Sequence, residues 1–197
     1  YTIVDNNGDG NTMLYYNDPE YAHSGNISLV YIYSPTNPAD DYFFSSCIDL
    51  EAGQNYKLSL WYRVDLADYP ESFEVYLASA PSVAGVIGSP IISVSSATNT
   101  TYEEATVNNV TVDSDGSYYI AIKATSDANM WALYIDDITI YLGYDNDVEV
   151  TDLLLQDAYS TGSTITPKAV ISNIGTSDAT VNMQFVINDG TTDVYTS

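Results

Sequence analysis

The sequence contains little positive charge, one cysteine and one histidine. Only four Lys and Arg residues oppose 27 Asp and Glu residues, which gives a formal net charge of −23. Nucleic acid is therefore not expected as a partner, because proteins neutralise phosphates with Lys and Arg. No run of about 18 apolar residues is present, so membrane insertion is not expected either. The lone Cys47 lies in an apolar stretch, which predicts a small core residue, and no internal disulfide can form.

What the sequence does contain is a two-residue hydrophobic period. Hydrophobic residues make up 45% of the chain, which is enough for a packed core. Between residues 56 and 64, for example, Leu58 and Leu60 alternate with Lys57 and Ser59. Eight such stretches are predicted strands: 26–34, 41–50, 56–64, 72–79, 89–95, 101–112, 116–125 and 131–142. We predict an all-β fold, an antiparallel jelly-roll sandwich over residues 1–142.

A second set of strand-like stretches follows residue 142. The small and charged residues 143–147 predict a linker, and hydrophobic alternation resumes over residues 148–197. About fifty residues are too few for a complete Ig-like sandwich of roughly 100 residues, so we expect the N-terminal part of an Ig-like β-sandwich. We also expect the chain to be a piece of a longer polypeptide whose export signal lies outside these residues.

Five stretches occur in a fixed order along residues 1–142: VDNNGDGN, HSG, LSLWYRV, YPESFEVYL and YYIAIKATSDANMWALYIDDITIY. Together they resemble the cleaved-adhesin or choice-of-anchor J family, a MAM-like jelly roll found in large secreted proteins of Bacteroidetes-type bacteria. The family includes the haemagglutinin regions of gingipain proteases. The tail of the chain is similar to a CARDB-type Ig-like domain, a frequent neighbour. The resemblance implies a secreted or cell-surface bacterial adhesion module, type IX secretion, and calcium in the sandwich.

A loop near the start of the chain carries the oxygen atoms that calcium prefers. Asp5, Asn7, Asp9 and Asn11 stand at alternate positions, and calcium takes six to eight oxygen ligands at roughly 2.3–2.6 Å. An EF-hand is excluded, because Tyr16 stands where a bidentate Glu is needed and no helices flank the loop. Two interpretations stay open: a Ca²⁺ site completed by ligands from elsewhere in the fold, or an Asx-type turn. The resembled family usually has an acid at position 7 and a Trp after the loop, and this chain has neither.

The doublet Asp136–Asp137 is the predicted source of the remaining calcium ligands. The apolar residues Leu133, Ile135, Ile138 and Ile140 cannot all lie on one face if the two-residue period runs through the doublet, so a β-bulge or a strand end is expected there. Adjacent acids inside an apolar strand are costly to bury unless positive charge offsets them. A cation bound at the first loop would supply that charge. The alternative is an exposed acidic bulge.

Candidate catalytic groups are few. His23 is the only imidazole, and the stretch AHSGN around it predicts a turn that enters a strand. No GxSxG, HExxH or phosphate-loop motif is present. Two close carboxylates would suffice for a retaining glycosidase, but the strand acids, Glu71, Glu74, Glu103 and Glu104, fit a charged strand face. We therefore do not expect an enzyme.

Three non-catalytic functions stay open. The first is an adhesin that binds an extracellular protein or glycan on a host, a cell or the matrix. The second is a carbohydrate-binding module with Trp61 as its aromatic platform, since Trp61 lies opposite the face of Leu58 and Leu60 and is either exposed or covered by a loop. The third is a structural spacer, which stacks with neighbouring Ig-like domains of the same chain or self-associates into a fibre through a strand edge.

Overall fold

The computed structural model describes residues 1–143, 147–154, 166–175, 178–188 and 191–196. The chain divides into two compact units, Tyr1–Leu142 and Gly143–Ser197. The first unit contains eleven strands and a short 3-10 helix, and the described part of the second contains two strand pairs. Every strand pair is antiparallel, so the predicted all-β antiparallel architecture is confirmed. No helix in the described residues has the length and hydropathy of a membrane span.

The strands of the first unit are joined mostly by short turns. Their bounds are β1 (Thr2–Asp5), β2 (Met13–Asn17), β3 (Ile27–Ile32), β4 (Asp41–Phe44), β5 (Ile48–Leu50), β6 (Tyr56–Val64), β7 (Glu71–Ala78), β8 (Val86–Ala97), β9 (Glu103–Val110), β10 (Gly116–Ala124) and β11 (Ala132–Leu142). The 3-10 helix, Val83–Gly85, lies between β7 and β8.

These strands form two sheets that pack face to face. The first sheet has the order β1-β4-β10-β7-β8, with β5 also paired to β10. The second sheet has the order β2-β3-β11-β6-β9. The chain passes back and forth between the sheets, so strands that are adjacent in space are mostly distant in sequence. This topology brings residues from opposite ends of the first unit onto one sheet face.

The hydrophobic core lies between the two sheets. Leu58 and Leu60 of β6 are fully buried, and they contribute to one cluster with Phe73 of β7 and Ile122 of β10. Full burial of a side chain of this size stabilises the fold by about 1.5–3 kcal/mol. The two-residue period of β6 explains the arrangement, because it turns the leucines inward and places Trp61 and its alternate neighbours on the outer face.

The structure corrects three details of the sequence prediction. The sequence analysis missed β1 and β2, which have only four and five residues and flank the polar first loop. The predicted strand at 41–50 is two strands, because the chain leaves the ladder after Phe44, and the Ser45 hydroxyl accepts the Ile120 N–H there. Cys47 lies in this break and is exposed rather than buried in the core.

The second unit is described in two separate pieces of sheet. β12 (Val148–Leu153) pairs with β13 (Ala169–Asn173), and β14 (Val186–Asn188) pairs with β15 (Asp193–Thr196). The linker predicted at residues 143–147 falls partly outside the described residues. An Ig-like domain over residues 148–197 stays a prediction.

Candidate functional site

Aromatic side chains cluster on the outer face of the second sheet. Because residues 133 and 135 of β11 point into the core, Tyr134 between them faces outward, beside Val30 of β3. Tyr16 and Tyr21 pack against this pair. The ring centroid of Tyr21 lies 5.4 Å from that of Tyr16 and 5.1 Å from that of Tyr134. The three tyrosines therefore form a continuous aromatic surface.

A pocket of about 260 Å³ opens beside these tyrosines. Its lining residues are Tyr16, Tyr21, Val30, Ile32, Tyr33, Asp65, Trp131, Ala132 and Tyr134. Trp131 stacks on Tyr33 with 5.5 Å between ring centroids, and 41% of its surface is exposed. The pocket thus presents five aromatic rings and one carboxylate to solvent. We refer to it below as the aromatic pocket.

Asp65 is the one charged side chain in the lining of the aromatic pocket. It directly follows β6, and its N–H donates to the carbonyl of Ala132 at 3.0 Å. One carboxylate oxygen, Oδ2, accepts the indole N–H of Trp131 at 2.7 Å. The Asp65 charge is the main cause of the raised pKa of Tyr21, and after burial it is the next cause of the raised pKa of Tyr134. The carboxylate is therefore held in place, and its field reaches two of the lining rings.

Residues 18–24, which we call the covering segment, fold over a neighbouring part of the same sheet face. The Tyr102 hydroxyl donates to the carbonyl of Tyr21 at 2.7 Å and ties the segment to the sheet. The His23 ring lies flat on Trp61, with 4.1 Å between centroids and an interplanar angle of 11°. Trp61, the platform predicted from the sequence, is therefore covered by a loop, and it does not line the aromatic pocket.

Asp136 and Asp137 hold the covering segment in place. The sequence predicted a β-bulge or a strand end here; β11 continues to Leu142, and its register shifts between Asp136 and Thr139, where Asp137 adopts a left-handed φ of 47°. Asp136 Oδ2 accepts the backbone N–H groups of His23 at 2.8 Å and Ser24 at 3.2 Å. Asp137 Oδ2 lies 2.7 Å from His23 Nδ1, and Oδ1 accepts the Ser24 hydroxyl at 2.6 Å. The bonds from Ser24 and His23 lower the pKa of the Asp137 carboxyl.

The predicted calcium ligands near the chain start lie in or beside the loop between β1 and β2. Asp5 accepts three backbone N–H groups of residues 8–10, at 2.7–3.2 Å. Asn7 Oδ1 accepts the N–H of Asp9 at 3.0 Å. Asp9 Oδ1 accepts the N–H of Asn11 at 2.8 Å, which is the main cause of the lowered pKa of Asp9. These local bonds organise the loop as a series of Asx-type turns.

A buried carboxylate that the sequence analysis missed, Asp41, lies directly opposite Asp5 in the β1–β4 register. Its exposed fraction is 0%. Asp41 Oδ1 and Asp9 Oδ2 are both buried and accept no hydrogen bond of good geometry among the described residues, although the side chains of Ser34 and Asn37 contribute to the lowered pKa of Asp9. Burial, together with the charges of Asp5 and Asp9, raises the pKa of Asp41 to about 6. The signal in the sequence was the doublet in ADDYFF, which resembles Asp136–Asp137 but was not singled out.

The two groups of predicted calcium ligands form hydrogen bonds with different segments of the chain. The hydrogen bonds of Asp136 and Asp137 run to the covering segment and not to the first loop. In the part of the chain that the structure describes, no three His, Cys, Asp or Glu side chains converge as a metal-binding group. A cation at the first loop would therefore depend on at most two carboxylates and on neutral oxygens, such as the buried hydroxyl of Thr12, which lacks a partner among the described residues.

No protein-family model matches this sequence, and no curated protein matches it. Among solved structures, the K3 cleaved adhesin domain of Lys-gingipain from Porphyromonas gingivalis W83 is similar, with 20% identity, a TM-score of 0.54, and coverage of 71% of this chain and 88% of that domain. The fold is adhesin-like. The K2 domain of Lys-gingipain gives 17% identity and a TM-score of 0.55, over 71% of this chain and 88% of that one. TmCBM61, solved in complex with β-1,4-galactotriose, gives 15% identity and a TM-score of 0.51, over 72% and 87%. At these identities the likeness establishes the β-sandwich fold.

Proposed function

We propose that this chain is a non-catalytic extracellular adhesion module that binds a glycan in its aromatic pocket. The observation that carries the proposal is the lining of that pocket, five aromatic rings and one carboxylate around about 260 Å³. Binding pockets for small ligands are typically aromatic and apolar, with a few polar groups that fix orientation. Sugar rings match this lining, because their C–H faces pack on aromatic rings and their hydroxyls donate to a carboxylate.

The solved neighbours support this proposal. Domains of an adhesin and a module that holds a galactose trisaccharide share the β-sandwich fold of residues 1–142. The extracellular location rests on the resemblance to secreted bacterial adhesins. The net charge of −23, with only four basic residues in the chain, disfavours anionic partners. Type IX export and neighbouring Ig-like domains follow from the same resemblance.

The lining of the aromatic pocket supports binding without catalysis. Glycoside hydrolysis generally requires two carboxyl groups about 5–10 Å apart, on opposite sides of the scissile bond. Asp65 is the one carboxylate among the lining residues, and its Oδ2 already accepts the Trp131 indole N–H. The imidazole of His23 packs on Trp61 and pairs with Asp137. We therefore propose retention of the sugar and not its cleavage.

A glycan array with the full chain, followed by titration of the glycans that bind, tests this proposal. Trp131→Ala is expected to weaken binding at least about tenfold, because aromatic anchors at the centre of an interface carry much of its affinity. Tyr141→Ala is the matched control, since Tyr141 is an exposed aromatic residue of the same sheet that lies outside the pocket lining. It should bind like the unmodified chain.

Two outcomes would contradict the glycan assignment. Loss of binding in Trp61→Ala with full binding in Trp131→Ala would move the platform to the position predicted from the sequence. Silence across the array would refute glycan binding and favour either a protein ligand or the spacer function. Cell-binding and self-association assays then separate those two, because an adhesin binds cells or matrix and a fibre subunit binds its own copies.

We also propose that a calcium ion stabilises the sandwich at the first loop. The supporting observation is the pair of buried carboxylate oxygens that accept no hydrogen bond of good geometry among the described residues, Asp9 Oδ2 and Asp41 Oδ1. The amide oxygens of Asn7 and Asn11 are the further candidate ligands, and Asp5, whose oxygens accept three loop N–H groups, holds the loop in place for them. Carboxylate, amide and hydroxyl oxygens are a donor set that suits calcium. We leave Asp136 and Asp137 out of this set, since they belong to β11 of the second sheet and hold the covering segment rather than the first loop.

Thermal unfolding in calcium and in EDTA tests the calcium proposal. A ligand that binds only the folded state at 100 times its Kd adds about 2.7 kcal/mol, which raises the melting temperature by several degrees. Asp9→Ala should abolish the difference between the two buffers. An equal melting temperature in calcium and after stringent chelation would refute the site without affecting the glycan proposal.

A further inference from the structure

The charge distribution in the aromatic pocket is one-sided. The lining contains one carboxylate, that of Asp65, and no Lys or Arg. Arg63 lies beside the lining, with its guanidinium carbon 4.7 Å from the ring centroid of Tyr134 and 5.2 Å from that of Tyr21. Arg63 already occupies the aromatic faces that it contacts, and the open lining is left with the negative charge of Asp65.

The aromatic rings add to this preference for positive charge. A ring face carries negative potential, so an ammonium group within about 6 Å of the centroid is attracted to it. The arrangement of Arg63 over Tyr134 and Tyr21 is an example within the same aromatic cluster. The pocket lining has a second pair of rings, Tyr33 and Trp131, with Asp65 bound to the Trp131 indole. A cation in the pocket would therefore meet the exposed Trp131 ring beside a fixed carboxylate.

The size of the pocket limits how much of a ligand it can hold. Its volume of about 260 Å³ is at or below the lower end of typical ligand pockets, which begin at about 300 Å³. The space suits one sugar residue and not a long stretch of polysaccharide. A substituent that strongly affects affinity should therefore be on the one sugar unit that enters the pocket.

We propose, on the basis of the glycan-binding function above, that the aromatic pocket prefers a sugar unit that carries a free, protonated amino group. The ammonium group pairs with Asp65, and the sugar ring packs on the exposed ring of Trp131. Neutral sugars of the same ring configuration bind more weakly, and sugars with a carboxylate are repelled by Asp65 and by the acidic chain.

NMR titration of the full chain with simple glycosides tests this preference. The probes are methyl β-D-glucosaminide and methyl β-D-galactosaminide at about pH 6, each against the corresponding neutral glycoside and uronic acid. The reporter is the indole N–H resonance of Trp131, which donates to Asp65, and Trp61→Phe identifies that resonance because the chain has two Trp residues. We expect an amino glycoside to bind about tenfold more tightly than its neutral counterpart, and about 0.5 M NaCl to reduce that ratio.

Asp65→Asn is the decisive variant. It keeps the size of the side chain and an oxygen that can accept the Trp131 indole N–H, and it removes the charge. The ratio of amino to neutral affinity should fall from about ten to near one. A matched control is Asp68→Asn, which removes the same charge from an exposed residue outside the pocket lining and should leave the ratio unchanged.

The possible failures are distinguishable. Equal binding of amino and neutral glycosides, or an amino preference that survives Asp65→Asn, overturns the inference and leaves the glycan-binding function in place. Tetramethylammonium that binds as tightly as the amino glycosides overturns the assignment to a sugar. Failure of every glycoside to move the Trp131 resonance, together with a silent array, refutes the proposed function itself.

Discussion

Two pairs of adjacent aspartates, Asp40–Asp41 at the start of β4 and Asp136–Asp137 within β11, lie in opposite sheets. Asp136–Asp137 interrupts an apolar strand sequence, whereas Asp40–Asp41 precedes one, and both pairs interact with a loop from the first part of the chain. At Asp136–Asp137 every carboxylate oxygen accepts a hydrogen bond or faces the His23 imidazole. The pKa of Asp137 is lowered as a result, mainly by the Ser24 hydroxyl. This doublet is satisfied by the protein's own groups.

The doublet Asp40–Asp41 is satisfied only at its first residue. Asp40 pairs with Lys123 at 2.8 Å and accepts the side-chain N–H of Asn6 at 2.6 Å. Asp41 is fully buried, and its Oδ2 accepts one long bond from its neighbour's N–H at 3.3 Å. Burial is the main reason that its pKa rises to about 6. Without further positive charge, this carboxylate destabilises the folded state at neutral pH.

The difference between the doublets lies in what the neighbouring loop donates. The covering segment turns two backbone N–H groups, a hydroxyl and an imidazole toward β11. The first loop instead directs its N–H groups to Asp5, Asn7 and Asp9, which are its own side chains. The loop N–H groups therefore bond to side chains of the loop itself, and the negative charge of Asp41 is not compensated by them. A bound cation could compensate it. The same Asp-Asp dipeptide thus forms two sites with different electrostatic environments.

The largest expected effect comes from Asp41→Asn. The rise of its folded-state pKa from 3.8 to about 6 corresponds to about 3 kcal/mol. Because the folded state holds this proton more tightly than the unfolded state, that stability is present below about pH 4 and is lost as pH rises to about 6. In EDTA at pH 7, Asp41→Asn should therefore be more stable than the unmodified chain. In calcium the order should reverse, because the variant loses a ligand. Urea unfolding at pH 4 and pH 7 in both buffers measures this.

The control for Asp41→Asn is again Asp68→Asn, which changes the net charge by the same amount at an exposed turn residue. Its stability should follow that of the unmodified chain in all four conditions. If calcium stabilised Asp41→Asn as much as it stabilises the unmodified chain, Asp41 would not be a ligand of the proposed calcium site. A variant that is less stable than the unmodified chain in EDTA at pH 7 would show that the buried charge is already neutralised by the protein.

The sequence predicts the sandwich well because strand periodicity is a local signal. The predicted strand at 56–64 coincides with β6, since each inward residue is apolar and each turn is marked by polar residues. The short strands β1 and β2 escaped prediction because four or five residues beside a polar loop carry too little periodicity. The break at Ser45 was also missed, because it contains neither Gly nor Pro.

The candidate site was less predictable, because its residues meet through non-local pairing. Asp41 lies opposite Asp5 only because β1 pairs with β4. The choice between Trp61 and Trp131 depends on the covering segment, whose path is fixed by contacts to residues more than one hundred positions away. The two-residue period places Trp61 on the outer face, but it does not show that His23 lies on top of it. A single sequence contains no direct signal for such contacts.

A smaller effect is expected from the satisfied doublet. Asp137→Asn keeps a side chain that tolerates the left-handed φ of 47° and an oxygen for the Ser24 hydroxyl. Loss of its charge should cost less than about 1 kcal/mol, because the pair with His23 is solvent-exposed. Asp137→Ala loses both side-chain contacts and is strained at this φ, so it should cost about 1–3 kcal/mol.

The pH dependence of these variants has the opposite sign from that of Asp41. Because the pKa of Asp137 is lowered in the folded state, its stabilisation is present above the unfolded pKa of about 3.9 and is lost as pH falls. At pH 7 the free energy of unfolding should be lower for Asp137→Asn than for the unmodified chain, and in EDTA it should be higher for Asp41→Asn. Both differences should become smaller in acid. Urea unfolding at pH 7 and pH 3 measures both, and the indole resonance of Trp61 reports whether His23 still stacks on it. Equal losses of stability in Asp137→Asn and Asp137→Ala would contradict this account. They would mean that neither the tolerance of the left-handed φ nor the Ser24 bond matters, and that Asp137 stabilises the fold through its charge alone.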